Sequence, residues 1–345
     1  MTEIAMHTPL RPRPQAASRA LSLLLLLLTL LLVLCQAAIS YQPASRLPAM
    51  LDQFAIQLTG LAVIALLLAL ILRRWVCAVL LILLAATLSW PVVASRAQPA
   101  TVANPARLTI MSANLWHSAK GHDRTVDVLM ASNADIIGLL ELTPDWRVPL
   151  EPLFAKYPHR VDCLEVGRRC QVMLLSKLPI EKTYSGRIWH ATPAVAGGDL
   201  RWNGRTITVL ATHLYRPLSD IDESEHGEDD PAYRAYLGGR LPRTRQAGQA
   251  GMFAMYLNGL PNDLVVMGDF NGAPWSSIQR AFRDRTGLSN QAGWDFTWPS
   301  RLYWPLRLPL DHVLARGHLV VTRFAAGPET DSDHLPVIAE VGWRD

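Results

Sequence analysis

Leu264-Val265-Val266-Met267-Gly268-Asp269-Phe270-Asn271 turns from wholly apolar to polar in two residues. Its opening run is β-prone and uninterrupted, as expected of a buried strand. The run stops in Gly268, then an acid and an amide two residues apart, then Gly272 and Pro274. A period of two puts Asp269 and Asn271 on one side of an extended chain, with Phe270 pointing the other way. A carboxylate beside a carboxamide offers hard oxygen ligands to a cation such as Mg²⁺, or hydrogen bonds to a phosphate. Asp, Asn and Gly are also ordinary turn residues, so the stretch takes its meaning from its company.

Working outward, residues 107–112 read as a first strand running into Asn114-Leu115-Trp116. Residues 123–132 have the apolar spacing of an amphipathic helix, and 136–140 form a buried strand capped by Glu141. This strand–helix–strand order marks an α/β layer. Further strands are expected at 170–176, at 205–212 (delivering His213), at 309–314, at 319–324 and at 332–341. Helices are expected at 245–257 and from about 276. Asn114, Glu141, His213, Asp269, Asn271, Asp311, Asp333 and His334 all fall at the end of an apolar strand or directly before one. Strand ends are where α/β folds place chemistry, so these eight predict one site.

The ordered motifs Ser-Ala-Asn114-Leu-Trp, Leu-Leu-Glu141, Ala-Thr-His213-Leu, Gly-Asp269-Phe-Asn271, Leu-Asp311-His and Ser-Asp333-His334-Leu-Pro resemble the endonuclease/exonuclease/phosphatase superfamily, which includes deoxyribonuclease I and the neutral sphingomyelinases. The resemblance covers residues 105–345. It implies a four-layer α/β sandwich, two packed mixed β-sheets flanked by helices, and metal-dependent hydrolysis of phosphate esters. On that resemblance Glu141 is the principal Mg²⁺ ligand, with Mn²⁺ a substitute ion; Asn114 completes or supports the metal site. Asp333 is a further ligand or an acid behind one. Asp269 orients or deprotonates the attacking water, or helps hold a second metal. Asn271 and His334 bind the phosphate, Asp311 fixes the tautomer of His334, and His213 is the acid at the leaving group. His117, His190 and His312 are not expected as ligands. Many relatives carry Arg where this chain has Pro309; Arg243, Arg245 and Arg307 are the candidates to replace it.

The chain has 345 residues, 50% hydrophobic and 18% charged, too apolar for a wholly soluble protein. Three apolar runs, 21–39, 54–72 and 75–93, approach the roughly 20 residues that cross a bilayer as a helix. Predicted organisation is therefore a tail (1–20), a three-helix transmembrane segment (21–94), a linker (95–106) and a catalytic domain (107–345). Arg11, Arg13 and Arg19 precede the first run and Arg73 and Arg74 link the last two, against Arg46 and Arg96 on the other side. That asymmetry puts the N-terminus in the cytoplasm and the catalytic domain outside a bacterial inner membrane, in the periplasm or beyond. Bulky Leu34 before Cys35 argues against a lipoprotein site. Outside the cytoplasm, Cys163 and Cys170 are free to form a local disulfide.

Residues 1–100 carry seven Arg, no Lys and two acids, Glu3 and Asp52, which leaves a net −1 on residues 101–345. A catalytic domain of that charge lacks the basic excess that holds nucleic acid by its phosphates. Seven acids between Asp220 and Asp230 form a solvated loop that would repel a polyanion. The expected function is a membrane-anchored, divalent-metal-dependent phosphoesterase acting on a phosphate ester or diphosphate, with a polyprenyl diphosphate or phospholipid as substrate. The alternatives are an extracytoplasmic nuclease acting on DNA or RNA, and a catalytically silent membrane binding module. Oligomeric state is not legible.

Overall fold

The computed structural model describes residues 14–41, 45–96, 98, 102, 106–164, 171–187, 192–218 and 244–344. They fall into two compact units, Met1–Tyr41 with Ala55–Trp90, and Gln42–Phe54 with Pro91–Asp345.

The first unit is helical. It contains α1 (Pro14–Tyr41) and most of α4 (Trp75–Ala94); α2 (Arg46–Gln53) belongs to the other unit, and α3 (Ala55–Ile71) to this one. Ala62, Ala65 and Ala69 form a fully buried stripe on α3, where small side chains let helices approach closely. Leu23, Leu24, Leu27, Leu30 and Leu31 of α1 are exposed, an apolar face suited to lipid. Residues 18–41 and α4 are each long and apolar enough to cross a membrane. α3 is as apolar but has 17 residues, about 26 Å of helix against a ~30 Å hydrocarbon core. Of the three spans expected from sequence, two are thus met by length and composition outright, and the count rises to at most three with α3.

The second unit is built on two sheets. β1 (Leu108–Asn114), β2 (Ile136–Leu140), β3 (His159–Asp162), β4 (Val172–Ser176), β10 (Leu319–Ala326) and β11 (Val337–Trp343) form a six-stranded sheet in the order β10-β11-β1-β2-β4-β3. β5 (Ile180–Gly186), β6 (Val195–Trp202), β7 (Arg205–His213), β8 (Leu264–Asp269) and β9 (Asp311–Arg316) form a five-stranded sheet in chain order. Both are mixed: β1 runs parallel to β2 and β7 to β8, and the other pairs are antiparallel.

Ile110, Ile136, Leu174 and Ala339 of one sheet meet Val209, Val265, Met267 and Val313 of the other in a core between them. Residues out of phase by one supply the outer cores. Leu264 and Val266 pack on Phe253 of α7 (Arg245–Asn258) and Phe282 of α8 (Ser277–Thr286). Met111, Ile137 and Leu139 pack near Leu129 of α5 (Asp123–Ala131) and Leu153 of α6 (Glu151–Lys156). The result is the four-layer sandwich the sequence implied. It also explains why β8 is apolar from Leu264 to Met267: both of its faces are buried.

β3, β5 and β6 were not legible in sequence. β5 is mostly solvent-facing, and β6 contains Gly197-Gly198, a pair with little strand propensity. Cys163 is disulfide-bonded; Cys170, the acidic stretch 220–230, His190 and Arg243 lie outside the described residues.

Candidate active site

Strand register assembles the site. His213, Asp269 and Asp311 are direct neighbours across β7, β8 and β9, because His213 pairs with Asp269 and Asp269 with Asp311. In the facing sheet Asn114 pairs with Leu140, which brings it beside Glu141. Gly268 makes the close passage possible. It sits at φ +148°, and a Cβ there would lie 1.8 Å from the Thr212 carbonyl oxygen. Three residues of the site region, Trp116, Glu141 and Asn271, hold left-handed backbone at φ +55°, +55° and +47°. Such conformations cost of order 1–3 kcal/mol each, and they persist where the surroundings impose them.

Asn114 joins the two sheets. Its Nδ2 donates to Glu141 Oε1 at 3.0 Å and to Asp269 Oδ2 at 3.2 Å, while its Oδ1 accepts from the Trp116 amide at 2.9 Å. The buried Glu141 carboxylate is also held by His117, through the backbone N–H at 3.0 Å and Nδ1 at 2.6 Å. Asp269 Oδ1 accepts from the Asn271 amide at 2.7 Å. Asn271 Nδ2 donates to the Leu214 carbonyl at 2.8 Å and lies 3.0 Å from His213 Nε2. Two imidazoles flank Asp269 Oδ2, His213 Nε2 at 3.5 Å and His334 Nε2 at 3.6 Å. His334 Nδ1 lies 2.9 Å from Asp311 Oδ2.

Burial and opposed charges pull these groups in different directions. Burial pushes the Glu141 carboxyl up, but His213, His117 and Asn114 together bring it down to about 2. Burial also opposes ionisation of Asp269, and the charges of His334 and His213 hold it at about 2. For His334 burial favours the neutral ring, yet Asp311 and Asp269 outweigh it and raise it to about 9. His213 is raised in the same way: Asp269 and Glu141 overcome its burial. Burial, with Asp269 adding to it, pushes the Asp311 carboxyl up against the pull of His334.

Ligand-capable atoms of Glu141, His213 and Asp269 lie within 4.8 Å of one another, and so do those of Asp269, Asp311 and His334. Carboxylates from both sheets, converging at that spacing, fit a hard divalent cation. In this arrangement Asn114 turns its nitrogen toward the carboxylates, so it acts as their brace. Asp333, expected as a further ligand or an acid behind one, is in neither cluster: its Oδ2 accepts from Trp298 Nε1 at 3.0 Å, and its charge helps to raise His334.

Beside Glu141, His213 and Asn271 opens a cleft of about 400 Å³, lined also by His117, Arg187, Tyr215 and Arg216. Arg187 and Arg245 both donate to Tyr215 Oη, at 3.0 and 2.9 Å, and the Arg245 guanidinium covers the Tyr215 ring. Arg245 was among the expected basic contacts; Arg307 instead bonds the carbonyls of Ser300 and Leu302. Sequence reasoning missed His117, Arg187 and Tyr215. Tyr215 stands two residues beyond His213, a signal that was present but unused.

A buried acid–imidazole cluster at the strand ends of a four-layer sandwich defines a metal-dependent phosphoric ester hydrolase. The sequence profile of the Endonuclease/Exonuclease/phosphatase family matches residues 111–334, and the chain belongs to that family. Among solved structures, an endonuclease/exonuclease/phosphatase from Bacteroides vulgatus is similar, 13% identical with a TM-score of 0.52, over 69% of this chain and 100% of that one. TDP2 from D. rerio, solved with a single-strand DNA product, is 16% identical with a TM-score of 0.50, over 69% and 99%. Sphingomyelinase C from Streptomyces griseocarneus is 17% identical with a TM-score of 0.48, over 68% and 99%. At these identities the likeness is one of fold. No curated protein sequence matches the chain.

Proposed function

We propose that the protein is a membrane-anchored phosphoesterase that hydrolyses a phosphate ester or diphosphate of a membrane lipid on the outer side of the cytoplasmic membrane, with Mg²⁺ as its ion. The observation that carries the chemistry is the meeting of both clusters at Asp269 Oδ2. Glu141 and Asp269 would hold the cation, which supplies charge neutralisation at the phosphoryl oxygens. Asp269 orients the attacking water, Asn271 and the His334 cation bind the phosphoryl group, and Asp311 holds the His334 ring. His213 delivers a proton to the leaving oxygen from the cleft side. Arg187 and Tyr215 in that cleft suit a second anionic group on the leaving portion.

Three crossings are supported by the helix between the first two apolar runs. α2 and the sandwich are one unit, so they share one side of the bilayer. An even number of crossings must then separate residue 53 from residue 95, and α3 with α4 supplies two. The arginine asymmetry makes that side the outer one. The net −1 of residues 101–345 favours a lipid over a polynucleotide.

The test is hydrolysis by the full chain in detergent with Mg²⁺ or chelator, offered polyprenyl diphosphate, phospholipid vesicles and plasmid DNA. Lipid turnover that stops with chelator and in Asp269→Ala is expected. Plasmid cleavage lost in the same variant would make it a nuclease, and no turnover of any of them a silent module.

A further inference from the structure

Asp52 is one of only two acids in the first hundred residues, and it is buried with its neighbour Gln53 at the C-terminal end of α2. Both side chains are spent on one loop. Gln53 Oε1 accepts from the Ala273 amide at 2.5 Å, and Asp52 Oδ2 accepts from the Ser277 amide at 2.5 Å. The carbonyls of Asp52 and Gln53 accept from Trp275 Nε1 at 3.1 and 3.2 Å, and Trp275 is fully buried. Ala49, a turn earlier, packs in the core cluster of Val266 and Phe282. The Ser277 amide opens α8, so a carboxylate there also meets the positive end of the helix.

This loop is the continuation of the Asp269–Asn271 strand end. From the sandwich side it is held by Gln246, which donates to the Phe270 and Asn271 carbonyls at 3.1 and 2.7 Å, and by His312 on the Gly272 carbonyl at 2.8 Å. Downstream of Gly272 its backbone is fixed by Gln53, by Asp52 and by Arg283, which donates to the Pro274 carbonyl at 2.6 Å. Two of those three come from the connection between two apolar helices. The exit from α4 lies nearby: Trp275 meets Trp294 edge-on, and Trp294 Nε1 donates to Ser95 Oγ just after α4.

We propose that α2 is a working part of the catalytic unit, and that Asp52 and Gln53 are positioning residues that set the loop following Asn271. Asn271 has left-handed backbone, and its amide, its carbonyl and its side chain are all engaged, so a loop released at Ala273 and Ser277 lets its carboxamide drift from His213 and from the phosphate. Misplacement on the scale of 1 Å costs up to about a hundredfold in rate. The apolar helices are on this account more than a tether, since the chain between two of them completes the active-site frame. The proposal rests on the placing of Asp269 and Asn271 in the active site.

The experiment uses the full chain in detergent, in wild-type form and as Asp52→Ala, Gln53→Ala, the double variant and Asp52→Asn. Amide exchange of the peptide over residues 270–277 is followed by mass spectrometry, and hydrolysis of bis(p-nitrophenyl) phosphate with Mg²⁺ is followed in parallel. Both alanine variants are expected to exchange faster across 270–277, with β1 and β2 unchanged, and to lose about tenfold in kcat with KM within about twofold. Asp52→Asn, which keeps an acceptor for the Ser277 amide, restores protection and rate. Unchanged exchange in the double variant overturns the proposal, and so does faster exchange with an unchanged kcat. If the wild type does not turn over the ester, the functional assignment is what fails, and exchange alone then decides whether α2 holds the loop.

Discussion

Oδ2 of Asp311 lies 2.9 Å from Nδ1 of His334, with both side chains buried. The contact fixes which face of the imidazole is spent on the protein and which, Nε2, is left toward Asp269 and the reacting group. Asp311 reaches it by register, as the direct neighbour of Asp269 on β9.

Replacing Asp311 by Asn keeps the volume and removes the charge. Asp311→Asn is expected to lower kcat by about 10²–10⁴, the usual contribution of a positioned acid–base group, with little change in KM. Steady-state kinetics on the purified full chain checks this, with the fold verified by circular dichroism.

The raised His334 gives a signed pH dependence. Its folded value, about 9, exceeds the ordinary value of about 6.5 for histidine. Protonation therefore stabilises the fold fully below 6.5, and this contribution is lost as pH rises through 9. Denaturant unfolding in chelator should show stability falling over that window. In Asp311→Asn the fall moves toward lower pH, because the largest raising charge is gone.

His312 predicts the opposite limb. It is buried against Phe270, and burial lowers it to about 4. The unfolded chain then takes up a proton that the fold refuses, so stability drops as pH falls from 6.5 to 4, by on the order of 3 kcal/mol. His312→Gln, which keeps a donor for the Gly272 carbonyl, should flatten that acid slope in a urea titration.

Glu141 and Asp269 point at one volume from two sheets, so a divalent cation held there, as proposed, would be a cross-link as well as a cofactor. Mg²⁺ at a hundred times its Kd should stabilise the full chain by about 2.7 kcal/mol, read as a rise in Tm. Glu141→Gln is expected to abolish that rise and to cut kcat by about 10²–10³.

Much of the sandwich was legible because strand signals are local. Leu264 to Met267 are apolar on both faces, so a strand between two layers was the consistent reading, and its polar end marked the site. Asn114, Glu141, His213 and His334 stood out for the same reason, each at the rim of an apolar run. What failed to show was whatever lacked a period, such as solvent-facing β5 and the Gly-Gly of β6. The run 54–72, read as a span, forms a helix of 17 residues, at the short end of what crosses a bilayer.

By itself the sequence determined which residues end their strands in acids, amides and imidazoles, and that an apolar helical portion precedes them, since alternation and run length are properties of neighbours along the chain. Only the tertiary structure decided that Asn114 braces carboxylates from both sheets, that His117 grips Glu141 while Asp333 turns to Trp298, and that Gln53 reaches an amide 220 residues away. Such contacts depend on register and on the docking of separate elements, and no local pattern encodes the partner of a buried polar group.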